Sequence, residues 1–289
     1  MPPIHRPVML DEVLRWLSPG PGGVFVDATA GAGGHSAAIA DRVGPSGRVI
    51  ALDRDPMMLD LARDRTRDRP VTLIHSASDR IAPVLDTLGI AEVDGILADL
   101  GFASDQMDTA SRGFSFQREG PLDMRFDPSQ PTTAATIVNT WPPEDLIAAF
   151  RAFGDEPRAR AIADRIVERR RQAPIETTSQ LADLVRSAYG HRRERTDPAT
   201  RVFQALRIAV NDELATLDRF LDSAPDRLRP GGRLVVLTFH SLEDERVKAA
   251  FRDDDRLRPL TKKPEIAGDR ELRQNPRARS AKLRAAERI

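Results

Sequence analysis

Asp27, Gly31, Gly33, Asp53 and Asp99 are the residues whose types and spacing suit chemistry. Asp27 closes the apolar run Phe25-Val26 and is followed by Ala28-Thr29-Ala30-Gly31-Ala32-Gly33-Gly34-His35-Ser36. This reads as a strand, an acid, a glycine loop and a helix start. A dinucleotide fingerprint needs G-x-G-x-x-G so that a helix N-terminus can face a pyrophosphate. Here Ser36 stands at the third glycine position, so the fit to NAD is poor. An acid at the strand end with two close glycines suits S-adenosylmethionine. That cofactor has no phosphate; it has a cationic sulfonium and an amino-acid tail that lies against bare backbone. A tight strand-to-helix turn would use the same residues, so the loop alone does not decide.

Arg48-Val49-Ile50-Ala51-Leu52-Asp53 reads as a second strand ending in an acid. It lies about 20 residues past the glycine loop, where a carboxylate can accept hydrogen bonds from ribose hydroxyls. The other role open to Asp53 is a cap on the helix beginning near Pro56. Val71 to His75 is a third strand, and Val93 to Asp99 a fourth with an acid at its end. Open parallel sheets bind ligands outside the carboxyl ends of their strands. Three carboxylates on one such rim, beside a glycine loop, make a site.

The elements that must position these acids alternate. Strands and helices from 23 to 99 predict a doubly wound α/β sheet of Rossmann type. A short helix from about Leu10 precedes it. From about Ser104 to Asn211 the pattern changes: prolines 121, 128, 131, 142 and 143 punctuate an irregular stretch, and no strand is convincing. Helices are predicted near 144–153, 156–171, 178–189 and 198–222, with Asp197-Pro198 as cap and first helical residue of the last. A fifth strand, Arg233 to His240, follows Pro230-Gly231-Gly232, then a helix near 241–253. Segments near 258–263 and 280–288 are expected to close the sheet as an antiparallel pair. The predicted organisation is an α/β sheet domain in two parts, 1–103 and 213–289, with an inserted helical domain over 104–212 and a basic C-terminal segment.

Composition narrows the chemistry. The 289 residues are 40% hydrophobic, enough for a sizeable core, and no apolar run approaches the ~18 residues of a membrane span. The opening residues do not have a signal-peptide pattern, and the expected location is the cytoplasm. There are no cysteines. That excludes thiolate zinc sites, cysteine-held iron–sulfur clusters and a cysteine nucleophile. Methylation at carbon 5 of a pyrimidine normally uses such a nucleophile, so a nucleic-acid substrate would react through an atom that is already nucleophilic, an exocyclic amine or a hydroxyl. No metal ligands are assigned. The 44 basic and 44 acidic residues cancel. The cations nevertheless cluster: Arg165, Arg169, Arg170 and Arg171; Arg192, Arg193 and Arg195; and a C-terminal set from Arg256 to Arg288 that includes Lys262, Lys263, Arg270, Arg273, Arg277, Arg279, Lys282 and Arg284. Such blocks can contact phosphates or form solvated faces.

An ordered set of motifs runs the length of the chain: His5-Arg6-Pro7-Val8, the glycine loop, Asp99-Leu100-Gly101-Phe102-Ala103-Ser104-Asp105-Gln106, Arg112-Gly113-Phe114-Ser115-Phe116, Gly120-Pro121-Leu122-Asp123-Met124-Arg125, Arg201-Val202-Phe203-Gln204-Ala205-Leu206-Arg207, Asn211-Asp212-Glu213, Phe239-His240-Ser241-Leu242-Glu243 and Asn275-Pro276-Arg277-Ala278-Arg279. Together they resemble the bacterial 16S ribosomal RNA (cytosine-N4)-methyltransferases, the RsmH or MraW family. The resemblance implies a class I S-adenosylmethionine-dependent methyltransferase fold with an inserted helical domain. It implies methylation of the exocyclic N4 of a decoding-centre cytidine of 16S rRNA in the small ribosomal subunit. By matching positions, Gly33, Gly34, His35, Asp53, Asp99 and Gln106 contact the cofactor, joined by Asp27, Gly31 and Ser78. The family usually has Phe where Ser78 stands, and Ile81 is the candidate to supply adenine packing instead. Ala103-Ser104-Asp105 replaces a serine-serine-proline, and Asp197 replaces a histidine.

Asp99 is the leading acceptor for the reacting amine, with Asp123 next; holding the amine of the cofactor is the competing role for Asp99. On the substrate side, Phe114 and Phe116 could stack a flipped-out base or simply pack a core. Arg125, Asn211 and His240 are polar candidates near the acceptor. Arg201, Arg207, Arg277 and Arg279 are candidates for phosphate contacts, with local salt bridges as the alternative. A nucleotide-dependent oxidoreductase, a non-catalytic ribosome-assembly factor and a DNA amino-methyltransferase are the competing readings. The failed dinucleotide loop, the intact rim acids and the absence of prolines after Asp99 argue against them in turn. Monomer and homodimer remain equally open.

Overall fold

Five apolar segments with one acid or polar residue at the C-terminal end build a parallel sheet. The computed structural model describes residues 7–101, 106–107, 109–190 and 197–289. Strands β1 (Val24–Asp27), β2 (Arg48–Asp53), β3 (Val71–His75), β4 (Val93–Asp99) and β5 (Leu228–Thr238) pair in parallel in the order 3-2-1-4-5. Strand β8 (Lys282–Arg288) then runs antiparallel to β5, and β6 (Leu257–Pro259) antiparallel to β8. The expected antiparallel pair is present. A two-residue strand, β7 (Glu265–Ile266), also pairs with β8 and had no signal in the sequence.

Strands β1, β2, β4 and the second half of β5 are buried on both faces, which is why they read as apolar runs, whereas the edge strand β3 is half-exposed. Val26, Ile50, Ile96 and Leu234 pack one face; Phe25, Val49, Leu97 and Val235 pack the other. Helices α1 (Leu10–Leu17) and α2 (Gly34–Val43) cover the second face. Between β2 and β3 lies α3 (Pro56–Arg65), started by Asp55, whose side chain accepts from the Met57 amide. Helix α4 (Ile81–Thr87) packs on the first face.

The chain divides into two compact units, Met1–Gly101 with Leu214–Ile289, and Phe102–Glu213. The second is helical: α5 (Ala134–Thr140), α6 (Pro143–Gly154), α7 (Ala159–Gln172), α8 (Thr178–Tyr189) and α9 (Ala199–Asn211). Its core is built on Phe150, Ile162, Ile166, Leu181, Val185 and Leu206. Thr133 and Thr177 head α5 and α8 with reciprocal caps from Thr136 and Gln180. Asp197 caps the start of α9 by accepting from the Ala199 amide.

Two expectations about helices need correction. Residues 134–140 form a helix inside the stretch read as irregular. The helix expected over 198–222 is two, because Asp212 adopts φ 49 and ends α9; α10 (Glu213–Ser223) follows. An aspartate tolerates this left-handed conformation better than most residues, so no glycine marked the break. Helices α11 (Ser241–Asp253) and α12 (Asp269–Gln274) complete the first unit. No helix of the described residues is long and apolar enough to cross a membrane.

Candidate active site

The site of the first unit lies at the C-terminal ends of β2, β1 and β4, neighbours in that order. Asp27 is fully buried; the Ser36 hydroxyl donates to it at 2.6 Å and the Thr29 amide at 3.2 Å. Burial pushes its carboxyl up to about 6 despite those donors, and the Asp53 charge adds to the rise. Asp53 accepts from the Gly31 amide at 2.8 Å and the Asp55 amide at 2.9 Å. Burial raises it to about 6 as well; the Asp55 charge adds to the rise and the Arg54 charge opposes it. Asp99 accepts only weakly, from the Gly101 amide at 3.1 Å, while Thr29 Oγ1 receives the Asp99 backbone amide at 2.6 Å. Desolvation, then the charges of Asp27 and Glu243, push Asp99 up to about 7.

The glycine loop needs its glycines. Gly33 sits at φ +77, and a Cβ there would stand 3.0 Å from the Ala62 backbone. At Gly101 a Cβ would meet the Phe239 ring at 2.7 Å, so position 101 admits a side chain only if that ring moves. The loop therefore offers bare backbone beside three acids held above their ordinary range. Among the described residues no Lys or Arg ion pair neutralises Asp27, Asp53 or Asp99. A cationic ligand that accepts and donates to backbone fits this donor set; a pyrophosphate does not.

The other expected cofactor residues divide. Gly34 opens α2, and His35 is buried with Nδ1 3.5 Å from Asp99 Oδ2. Ser78 is half-buried in a short 3-10 turn, Ser78–Arg80. Ile81 cannot supply adenine packing: it is wholly buried in the core under the sheet. Gln106 is buried in the second unit. His240 caps α11; Glu243 accepts from the Phe239 amide at 2.8 Å and lies 3.1 Å from His240 Nε2. Ser36, Thr29 and Glu243 were not foreseen as site residues. Ser36 had a visible signal, a polar residue where the loop pattern wants glycine.

In the second unit several candidates are committed elsewhere. Asp123 forms a two-point pair with Arg125, whose NH1 also donates to the Pro128 and Gln130 carbonyls. Burial alone would raise the Asp123 carboxyl, but the Arg125 hydrogen bonds and charge hold it below its ordinary range. Asp123 as an amine acceptor and Arg125 as a substrate contact therefore give way to a structural clasp. Asn211 is 3% exposed and ties the Phe126 amide to the Met124 and Arg207 carbonyls. Arg207 is paired at two points with Glu213, which removes it from phosphate contact. Phe114 stacks on Phe126 at 5.2 Å inside the core, and Phe116 packs edge-on to Phe203 at 5.1 Å. Core packing occupies both rings. Arg201 remains exposed.

The basic blocks thin in the same way. Lys282 and Arg284 hold Asp244, Arg256 holds Asp254 and Asp226, and Arg258 pairs with Glu287. Arg169 and Arg170 donate to backbone carbonyls. Lys262, Lys263, Arg270, Arg273, Arg277 and Arg279 stay exposed. His5, Arg6, Phe102, Ala103, Ser104, Asp105 and the block Arg192, Arg193 and Arg195 lie outside the described residues.

The MraW methylase family matches residues 3–289. The chain belongs to the MraW methylase family. The ribosomal RNA small subunit methyltransferase H of Thermomicrobium roseum is 50% identical over 305 residues, covering 99% of this chain and 94% of that protein. The protein of the same name from Geobacter sulfurreducens is 49% identical over 310 residues, covering 99% of each. This MraW methylase has the class I fold, with the strand order 3-2-1-4-5 followed by antiparallel β8. Its cofactor is S-adenosylmethionine.

Proposed function

We propose that the chain transfers a methyl group from S-adenosylmethionine to the exocyclic N4 of a decoding-centre cytidine in 16S rRNA. The observation that carries this reading is the trio Asp27, Asp53 and Asp99, raised and without a Lys or Arg ion pair among the described residues, beside a bare glycine loop. In this reading Asp53 accepts from ribose hydroxyls and Asp99 faces the positive amino-acid end, while the wholly buried Asp27 adds its charge behind the loop's first hydrogen bonds. Gly31, Gly33, Gly34, His35 and Ser78 complete the proposed cofactor contacts of the first unit. When bound, the cofactor supplies an electrophilic methyl on a sulfonium.

The N4 lone pair of cytosine is delocalised into the ring, so the amine is a weak nucleophile. Asp99, as a carboxylate, accepts from one N4–H and lets the nitrogen pyramidalise. Placement in line with the breaking methyl–sulfur bond supplies much of the remaining rate. The nitrogen formed by transfer is strongly acidic and needs no potent base. Arg201, Arg277 and Arg279 are the proposed phosphate contacts. His240 stays a candidate near the acceptor, through Glu243.

The assembled small subunit in the cytoplasm is the proposed substrate, because a structured decoding centre presents the base. The test compares naked 16S rRNA with subunits lacking the modification, using labelled cofactor. Preferential labelling of the subunit supports the reading, and equal labelling overturns the choice of subunit. Cofactor binding with no transfer to either would favour an assembly factor.

A further inference from the structure

His35 joins three elements of the first unit through one buried ring, which is 5% exposed. Its Nε2 lies 3.0 Å from the Val8 carbonyl oxygen. A carbonyl can only accept, so Nε2 carries the hydrogen. Its Nδ1 lies 3.5 Å from Asp99 Oδ2. The ring is therefore oriented from behind by the chain segment Pro7–Met9 and faces the acid at the end of β4.

That segment is held firmly. A Cβ on Gly34 would come within 2.5 Å of Pro7 Cγ, so Pro7 rests directly on the glycine loop. Met9 is fully buried at φ 51, an uncommon conformation for a non-glycine residue. Its amide donates to Glu271 Oε1 at 3.3 Å. With Val8 fixed, the imidazole keeps its Nε2 hydrogen on the carbonyl. Nδ1 then meets the Asp99 carboxyl lone pair to lone pair unless a proton lies between them. Among the described residues, the other charged groups acting on Asp99 are Asp27 from β1 and Glu243 from α11, both anionic, with His240 beside Glu243. Each of those anions favours a proton on the His35–Asp99 pair.

We propose that His35 is a positioning residue for Asp99: it fixes the carboxyl and takes its proton onto Nδ1 when the cationic cofactor binds, leaving Asp99 as the carboxylate that the reaction uses. The Asp99 O–H bond breaks and a Nδ1–H bond forms. The pair keeps its single proton, and none passes to water. This rests on the cofactor assigned above and deepens the reading of that site.

The test is calorimetric titration of the full chain with S-adenosylmethionine at about pH 6.5, in buffers of different ionisation enthalpy. The difference between buffers counts protons released. His35→Gln keeps an amide donor for Val8 but has no base to receive the proton. The expected result is about half a proton more released on binding by His35→Gln than by wild type, with affinity that rises more steeply with pH. Equal proton release in the two proteins overturns the proposal. A second measurement needs no variant. Nitrogen-15 spectra of wild-type His35 in the cofactor complex are expected to show both ring nitrogens protonated, and a neutral imidazole there overturns the proposal. No heat of cofactor binding in the wild type would strike down the cofactor assignment itself, and this proposal with it.

Discussion

Asp99 and Asp123 stand 24 positions apart, each in a motif rich in glycine and apolar residues, and the two units give them opposite fates. Asp123 meets Arg125 two residues on, and the guanidinium locks it as a low-titrating anion. Among the described residues Asp99 meets an amide, a histidine and two further acids, and desolvation with those acids pushes its carboxyl up to about 7. The first acid is satisfied and holds a fold. The second resists ionisation, and a cationic ligand can offset that cost. A buried acid becomes reactive where the fold withholds a cation from it.

The sharpest way to break this contrast is to neutralise each acid in turn. Asp99→Ala should lower methyl transfer about 100-fold or more, whereas Asp123→Ala should leave transfer within a few-fold once the lost stability is allowed for. Single-turnover rates at a temperature well below both unfolding transitions check this. Asp53→Ala should weaken cofactor binding about 10-fold to 100-fold, since it removes both a ribose acceptor and the anchor of the Gly31 amide. Calorimetric affinities decide it, and an unchanged Kd would remove Asp53 from the site.

Asn211→Leu should destabilise the second unit by about 2–3 kcal/mol by orphaning the Phe126 amide and the Met124 carbonyl, without changing the cofactor Kd. Thermal unfolding measures it.

The pH response sharpens the comparison further. Asp27, Asp53 and Asp99 titrate higher in the folded protein than the ordinary value of 3.8. Their protonated forms therefore favour the fold. That contribution is complete below the unfolded value and is lost as pH rises through about 6 and about 7. Asp123, held low, contributes in the opposite sense, and its share is lost as pH falls. Asp99→Asn should thus stabilise the cofactor-free protein at pH 8 by about 1 kcal/mol, and not at pH 4. Unfolding curves at both pH values test this; equal effects at both would contradict the raised carboxyl. The smallest effect is expected from Arg277→Glu or Arg279→Glu, a few-fold rise in KM for the RNA substrate with a shallower salt dependence and an unchanged cofactor Kd.

How much of this was legible in the sequence follows from where each signal resides. Acids at strand ends and the Asp27–Gly33 loop are local, so the sheet, its order of elements and the rim acids could be read directly. The helix over 134–140 was hidden because its cap uses Thr133 with Thr136 rather than the acid or amide that marks such a start. The break at Asp212 depends on one left-handed aspartate. The fates of Phe114, Asn211 and Arg207 depend on partners brought close only by the helical packing, Phe126 and Glu213 among them. The engagement of Asp123 was nearer to hand, since Arg125 lies two residues away, but the same spacing would also suit an exposed pair. Sequence reading finds a charged residue more readily than it finds the partner that neutralises it.

The most direct measurement uses small subunits from cells lacking this protein, incubated with labelled S-adenosylmethionine and wild type, Asp99→Asn or Asp123→Asn, followed by nucleoside mass spectrometry. The account predicts N4-methylcytidine at one decoding-centre position with wild type and Asp123→Asn, and almost none with Asp99→Asn. Label on a different atom, or loss with Asp123→Asn while Asp99→Asn stays active, would contradict it.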